Sequence, residues 1–321
     1  MGISLSNATL ITIYGGSGFI GRHVVRALAK TGARMRIAVR RPELAGFLQP
    51  LGGVGQITAV QANVRFPDSL LAPAKGADAV INLVGILCPS GKQTFKAVQD
   101  EGARHVAEAA RAAGASAFVH MSAIGADAQS PSVYARSKAA GEAAVLEEFP
   151  DAIILRPSLV FGPEDQLFNR FAAMARFSPF LPLIGGGHTR FQPVYVGDVA
   201  EAVLRIIDDS STAGRTYELG GPKTYSMRAL VELLLEEIRR KRLLINLPFG
   251  AAAIQARLLS LLPDAPLTPD QVEMLKYDNI VSPNALGFEA LGIKPTAVEA
   301  ILPTYLDRFR RGGWYAREPA A

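Results

Sequence analysis

Three groups of residues have the types and spacing to do chemistry: a glycine-rich loop, paired arginines where an acid could stand, and a Tyr and Lys four positions apart. The loop Gly15-Gly16-Ser17-Gly18-Phe19-Ile20-Gly21 follows an apolar run and opens an amphipathic one. Glycines at 15, 18 and 21 permit a tight turn, close backbone approach to a pyrophosphate and close helix packing. The N–H groups of the helix N-terminus would then face the phosphates. Gly15, Ser17, Gly18, Phe19, Ile20 and Gly21 are therefore candidate dinucleotide contacts.

At the end of the second β-like run, NAD-specific proteins usually place an acid for the ribose hydroxyl, whereas this chain has Arg40 and Arg41. A guanidinium grips a 2′-phosphate through paired hydrogen bonds, so NADPH is expected ahead of NAD(H), with Arg22 as a possible helper.

Tyr134 and Lys138, in Tyr-Ala-Arg-Ser-Lys, share one helical face. A phenol near pKa 10 is a poor base at neutral pH, and lowering it by about 3 units takes roughly 4 kcal/mol. A positive nicotinamide and the neighbouring ammonium could supply that, letting Tyr134 exchange a proton with a substrate hydroxyl or carbonyl. Ser122 ends the preceding strand and reads either as a hydroxyl partner or as a strand-end hydrogen bonder. His120, inside that strand, reads as a packed histidine. The single cysteine, Cys88, excludes an intrachain disulfide, and no paired His or Cys spacing implies a metal.

These groups need elements to hold them. Runs at Thr9 to Tyr14, Met35 to Val39, Ile57 to Val60, Ala79 to Val84, Ala117 to Ser122 and Ala152 to Leu155 alternate with helix-like segments such as Phe95 to Ala113 and Val133 to Glu148. That is the rhythm of βαβ units, and the nearly all-apolar Ala79 to Val84 suits a central strand covered on both faces. The expected class is α/β, a Rossmann-like doubly wound parallel sheet with a smaller, mainly helical C-terminal lobe. A Rossmann domain is expected over 1–220, with 163–193 open to joining the second lobe, and that lobe over 221–321. Its helices are expected around Met227 to Arg240, Ala251 to Leu262, Pro269 to Leu275 and Ala297 to Phe309. Asp198, with Glu201 three residues on, reads as a capping box opening a helix to Ile207.

With 49% hydrophobic and 20% charged residues over 321 positions, the chain can bury a sizeable core. Its net charge of +5 is spread out, which argues against a dedicated nucleic-acid binder, and no aromatic platform supports one. The exception is Arg239-Arg240-Lys241-Arg242, after which Leu243 to Pro263 holds one charged residue, Arg257. Basic followed by apolar is an interfacial arrangement, so residues 239–263 are a candidate membrane-surface contact, with a buried lobe helix as the competing reading. Pro248 and Gly250 interrupt the run, so it is not expected to cross a bilayer. No secretory pattern opens the chain, and a cytoplasmic location is expected, peripheral on the cytoplasmic face of the inner membrane or on the matrix side in a eukaryote.

The Gly15 loop, Asn82-Leu83-Val84-Gly85, Tyr134 with Lys138, and the run Arg156 to Pro163 together resemble the extended and atypical short-chain dehydrogenase/reductase families over most of the chain. That resemblance implies cofactor contacts at Asn63, Val64, Val84, Gly85, Tyr134, Lys138 and Pro157. For an active member it implies an NAD(P)-dependent oxidoreductase or nucleotide-sugar epimerase/dehydratase, with Tyr134 as acid/base, Lys138 on the ribose and Ser122 polarising the substrate. Phe149 to Ser158, Phe161-Gly162 with Glu164-Asp165, and Gln192 to Val196 with Asp198-Val199 are similar, more specifically, to the nucleotide-binding accessory subunits of respiratory complex I and their bacterial relatives. This implies a tightly held structural NADPH, with respiratory complex I or quinone-biosynthesis proteins as partners. Ala123 follows Ser122 where many catalytic relatives carry a second hydroxyl. Asn63 stands where an adenine-contacting Asp is usual, and Gln99 where a helix Asn often lines the site. Binding is therefore expected, while turnover stays open.

Overall fold

The six β-like runs form strands β1 (Leu10–Tyr14), β2 (Arg34–Val39), β3 (Ile57–Gln61), β4 (Ala79–Asn82), β5 (Ala117–Met121) and β6 (Ile153–Pro157). A seventh, β7 (Thr216–Leu219), was not apparent from the alternation. The computed structural model describes residues 3–260 and 267–311. In it the seven strands form one sheet in the order β7-β6-β5-β4-β1-β2-β3, every pairing parallel. β4 is buried at all four positions, as its apolar run requires of a strand covered on both faces.

The crossovers include helices α1 (Phe19–Ala29), α2 (Glu101–Ala112) and α3 (Val133–Glu148). Ser132 caps α3 by accepting the Ala135 N–H. Helices α2 and α3 cover one face of the sheet, where Val80, Phe118 and Ile154 meet Val106, Ala107, Ala110 and Val145. Gly141 lets α3 lie against the Gln99 carbonyl, which an added Cβ would approach within 2.0 Å.

Helix α4 (Val196–Asp208) starts two residues before the expected cap. Asp198 thus lies in the first turn, where its charge complements the helix dipole, and does not open the helix. The chain divides into two compact units. One comprises Met1–Pro157, Gly197–Leu219 and Ser282–Lys294, and the other Ser158–Val196, Gly220–Val281 and Pro295–Ala321.

The second unit has helices Leu167–Phe177 and Met227–Glu237 around a core of Phe168, Leu181, Leu230 and Leu234, while helix Phe249–Leu259 packs in a smaller cluster of Ala252, Ala256 and Val272. It also contains short strand pairs. Phe180–Ile184 runs parallel to Leu243–Leu247, and Arg190–Phe191 pairs antiparallel with Tyr225–Ser226. The apolar run after Arg242 is therefore a strand followed by a helix whose N-cap is Pro248, not one buried helix. Short β-prone residues paired with a distant partner there outweigh local helical preference. The end of that run, like the end of the expected helix to Leu262, lies outside the described residues. Among the described residues no helix is long and apolar enough to cross a membrane.

Candidate functional site

In the sheet order, β1 lies between β2 and β4, the point at which consecutive crossovers pass to opposite sides. Crevices form outside the carboxyl ends of strands at such a switch point. Apart from Tyr134 and Lys138, which lie on α3, the expected site residues follow carboxyl ends: 15–21 after β1, 40–41 after β2, 63–64 after β3, 84–85 after β4, and 122 after β5, with Pro157 ending β6.

Gly15 takes φ +81°, which favours glycine, and its N–H donates to the Ala38 carbonyl at 3.1 Å. Gly18 is the N-cap of α1 with no side-chain cap, and the first turn contains no acidic residue, so neither neutralises that helix end. A Cβ on Gly21 would lie 2.5 Å from the Gly15 oxygen and 2.6 Å from the Gly16 Cα. This backbone packs so closely that only glycine fits, and the helix end faces the crevice with positive polarity. Arg22 rests on the loop, donating to the Gly18 and Ser17 carbonyls at 3.3 Å, with its guanidinium over the Phe47 ring.

Arg40 and Arg41 are exposed, and among the described residues neither side chain makes a hydrogen bond or ion pair. Asn63 closes a local turn by accepting the Arg65 N–H, and Val64 packs against Gly102 while its carbonyl meets His105 Nδ1 at 2.9 Å. The Val84 N–H donates to Asn82 Oδ1 at 3.1 Å, and the Pro157 carbonyl accepts from Ile124.

The structure brings Lys138 and Gly85 together: a Cβ on Gly85 would be 3.5 Å from Lys138 Nζ. Lys138 is 5% exposed, and its ammonium donates to the Met121 carbonyl at 3.1 Å. Its Nζ lies 6.0 Å from the centroid of the half-buried Tyr134 ring, which Phe95 meets edge-on. Burial pushes Tyr134 up to about 12 and Lys138 down to about 8. For Tyr134 this is opposite to the direction a general base needs, so a bound positive charge would have to overcome burial.

Register explains a polar group that spacing did not reveal. Asn82 and His120 are partners across β4 and β5. Because Asn82 Oδ1 accepts from Val84, its Nδ2 is the donor to His120 Nδ1 at 3.2 Å, which leaves the ring proton on Nε2. Burial, aided by Lys138, holds His120 down to about 3 and hence neutral. His120 Nε2, Ser122 Oγ and both Gln99 amide atoms are buried with no hydrogen-bond partner among the described residues. Buried polar atoms are ordinarily paired, so a polar ligand group or an ordered water beside each would complete its hydrogen bonding. A polar residue ending an apolar strand was the available signal for Asn82.

The Lys138 geometry gives an expected pH dependence. From about pH 8 towards 10 the folded chain holds this amine neutral while the unfolded chain still binds the proton, so stability rises with pH in that window. Below about pH 8 both states carry the proton and the full cost of burying the charge remains. Urea unfolding across this range should show the rise in the wild type and its loss in Lys138→Met. A flat wild-type profile would mean the amine is not buried as described.

A family model described as the NAD dependent epimerase/dehydratase family matches residues 11–220. NADH dehydrogenase (ubiquinone) 1 alpha subcomplex subunit 9 of Arabidopsis thaliana is 35% identical over 328 residues, spanning 97% of this chain and 81% of that one. A ceramide reductase of Caulobacter vibrioides is 39% identical over 195 residues, 61% of this chain and 60% of the relative. Among solved structures, dTDP-glucose 4,6-dehydratase DesIV from Streptomyces venezuelae superposes with a TM-score of 0.73 at 20% identity, covering 96% of this chain and 99% of that one. This last likeness concerns the fold.

Proposed function

The chain belongs to the NAD dependent epimerase/dehydratase family, and from that premise we propose that it binds NADPH as a structural cofactor in an accessory subunit of respiratory complex I. The observation that carries the reading is the match of 97% of the chain to an NADH dehydrogenase subunit. The glycine cradle fits a pyrophosphate, and Ala123 after Ser122 favours holding the nucleotide over turning it over. Quinone-biosynthesis proteins are alternative partners in the same reading, which places the protein peripherally on the cytoplasmic or matrix face. Contact of residues 239–263 with a membrane surface belongs to it as well, with 261–263 outside the described residues.

Native purification in gentle detergent should recover NADH:quinone oxidoreductase subunits, with NADPH released on denaturation. Recovery of neither those subunits nor a quinone-synthesis enzyme would sink the reading. The unpaired Arg40 supports NADPH over NADH. Arg40→Ala should weaken NADPH binding about ten- to a hundred-fold, the worth of a charge-assisted contact, and leave NADH binding unchanged. Equal losses for both nucleotides in a calorimetric titration would remove Arg40 from the 2′-phosphate.

A second reading is favoured by the ceramide reductase relative together with Tyr134 and Lys138 on one helical face. Here the nicotinamide would supply a hydride. Tyr134 would give its proton to a carbonyl oxygen, Lys138 would hold the ribose, and Ser122 would polarise the substrate. Carbonyl-dependent NADPH oxidation that is unchanged in Tyr134→Phe would rule this out.

A further inference from the structure

The strand pair of the second unit has an unusual outer face. Leu243 lies opposite Phe180 and Ile245 opposite Pro182. Leu181 and Leu183 point inward and are buried, whereas Phe180 is 50%, Leu243 70% and Ile245 47% exposed. Parallel strands are ordinarily covered on both faces, and it is antiparallel sheets that leave one face wet, with polar residues on it. These four outward positions are all apolar, and Phe177, at the end of the preceding helix, is 85% exposed.

Cations border this face. Arg242 donates to the Ala175 carbonyl at 2.8 Å, and the Leu243 N–H to Pro179 at 3.0 Å, which seats the basic run against residues 175–180. Arg240 donates to the Phe309 carbonyl, so its contact, like that of Arg242, is to a carbonyl and is not an ion pair among the described residues. A cavity of about 690 Å³ is lined by Arg228 and the whole run 239–242 against Glu232 and Glu236, and it reaches Leu243. Burial lowers the Arg240 pKa, and Arg242, Arg311 and Arg176 add to the effect, showing cations crowded on one another. Arg239 has φ 52°, the only non-glycine among the described residues in the left-handed region. It follows the helix Met227–Glu237 at a position where glycine would sit without strain.

We propose that this face docks on an anionic lipid surface, with Phe177, Phe180, Leu243 and Ile245 entering the acyl boundary and the 239–242 run meeting headgroup phosphates. Charge complementarity and adjacency select this occupant: an acidic protein would answer the cations but not the apolar face beside them. The proposal rests on the peripheral placement argued above, and it extends the contact to residues 177–182, which local sequence did not join to the basic run.

Co-sedimentation of the full chain with vesicles tests it, using phosphatidylcholine alone or with about one third phosphatidylglycerol, at low and high salt. Binding is expected only to the anionic vesicles and should weaken with salt. Arg239→Gly keeps the left-handed turn, so it should leave the melting temperature level or raised while weakening binding about five-fold. Phe177→Ser and Leu243→Ser alter exposed side chains and should each weaken it about ten-fold. Equal binding to both vesicle types, or variants that bind like the wild type, would overturn the proposal. So would a wild-type dimer that Leu243→Ser dissociates without vesicles, since the face would then be a self-interface. Vesicle binding without recovery of oxidoreductase subunits would leave this proposal standing and count against the complex I reading alone.

Discussion

Gly21→Ala is expected to weaken NADPH binding by at least about a hundred-fold, roughly 2.7 kcal/mol. The added Cβ would lie within 2.5–2.6 Å of the Gly15 oxygen and of Gly16 backbone atoms. No flexible side chain stands there to move aside, so either the loop or the first turn of α1 must shift. Both are needed, because the helix N–H groups bind phosphate only when the loop leaves them open and aimed at the crevice. Calorimetric titration measures the loss, and the NADPH-dependent rise in melting temperature should vanish with it. Gly46→Ala is the matched control, since nothing lies within 4 Å of its added Cβ. It should bind like the wild type. Undiminished affinity in a folded Gly21→Ala protein would place the phosphates elsewhere.

Arg156→Leu should destabilise the protein by about 3–5 kcal/mol, because it leaves buried carboxylates without their cation. Arg156 grips Glu142 with two hydrogen bonds, at 2.9 and 2.6 Å, and lies 3.6 Å from Glu218. Glu218 in turn accepts the Ser282 N–H at 2.8 Å. The group joins α3, β6, β7 and the chain at 282. Only 9% of the Glu142 side chain and 10% of the Glu218 side chain are exposed, against 28% of Arg156, so water reaches the arginine's edge of the group and the loss is expected at the lower end of that range. A fall in melting temperature of roughly 10 °C follows from the size of the unit. Arg156→Met combined with Glu142→Leu and Glu218→Gln should recover much of it, because apolar and neutral groups can replace a buried ion-pair network. A single-variant loss below about 1 kcal/mol would mean the pair behaves as a surface salt bridge.

Much of the site was legible before the fold. The Gly15 loop announces itself through three glycines between a strand pattern and a helix pattern, and Tyr134 with Lys138 through their spacing on one helical face. Helical and strand periods are local, so β1 to β6 could be placed from residues a few positions apart. The strand pairs of the second unit could not. Phe180 meets Leu243 across more than sixty intervening positions, and neither segment alone shows that its partner exists. The start of α4 was misplaced for a related reason: Asp198 and Glu201 fit a capping box locally, while the observed helix begins at Val196.

The sequence by itself therefore determined the α/β class, the glycine turn between β1 and α1 and the family, because each is written in local spacing and residue type. Only the tertiary structure decided that Lys138 is held on the Met121 carbonyl and that His120 carries its proton on Nε2. The same holds for the pairing of Phe180 with Leu243 beside Arg242, which is held on the Ala175 carbonyl. Burial, strand register and the pairing of distant segments set these features, and all three arise from contacts between residues far apart in the chain.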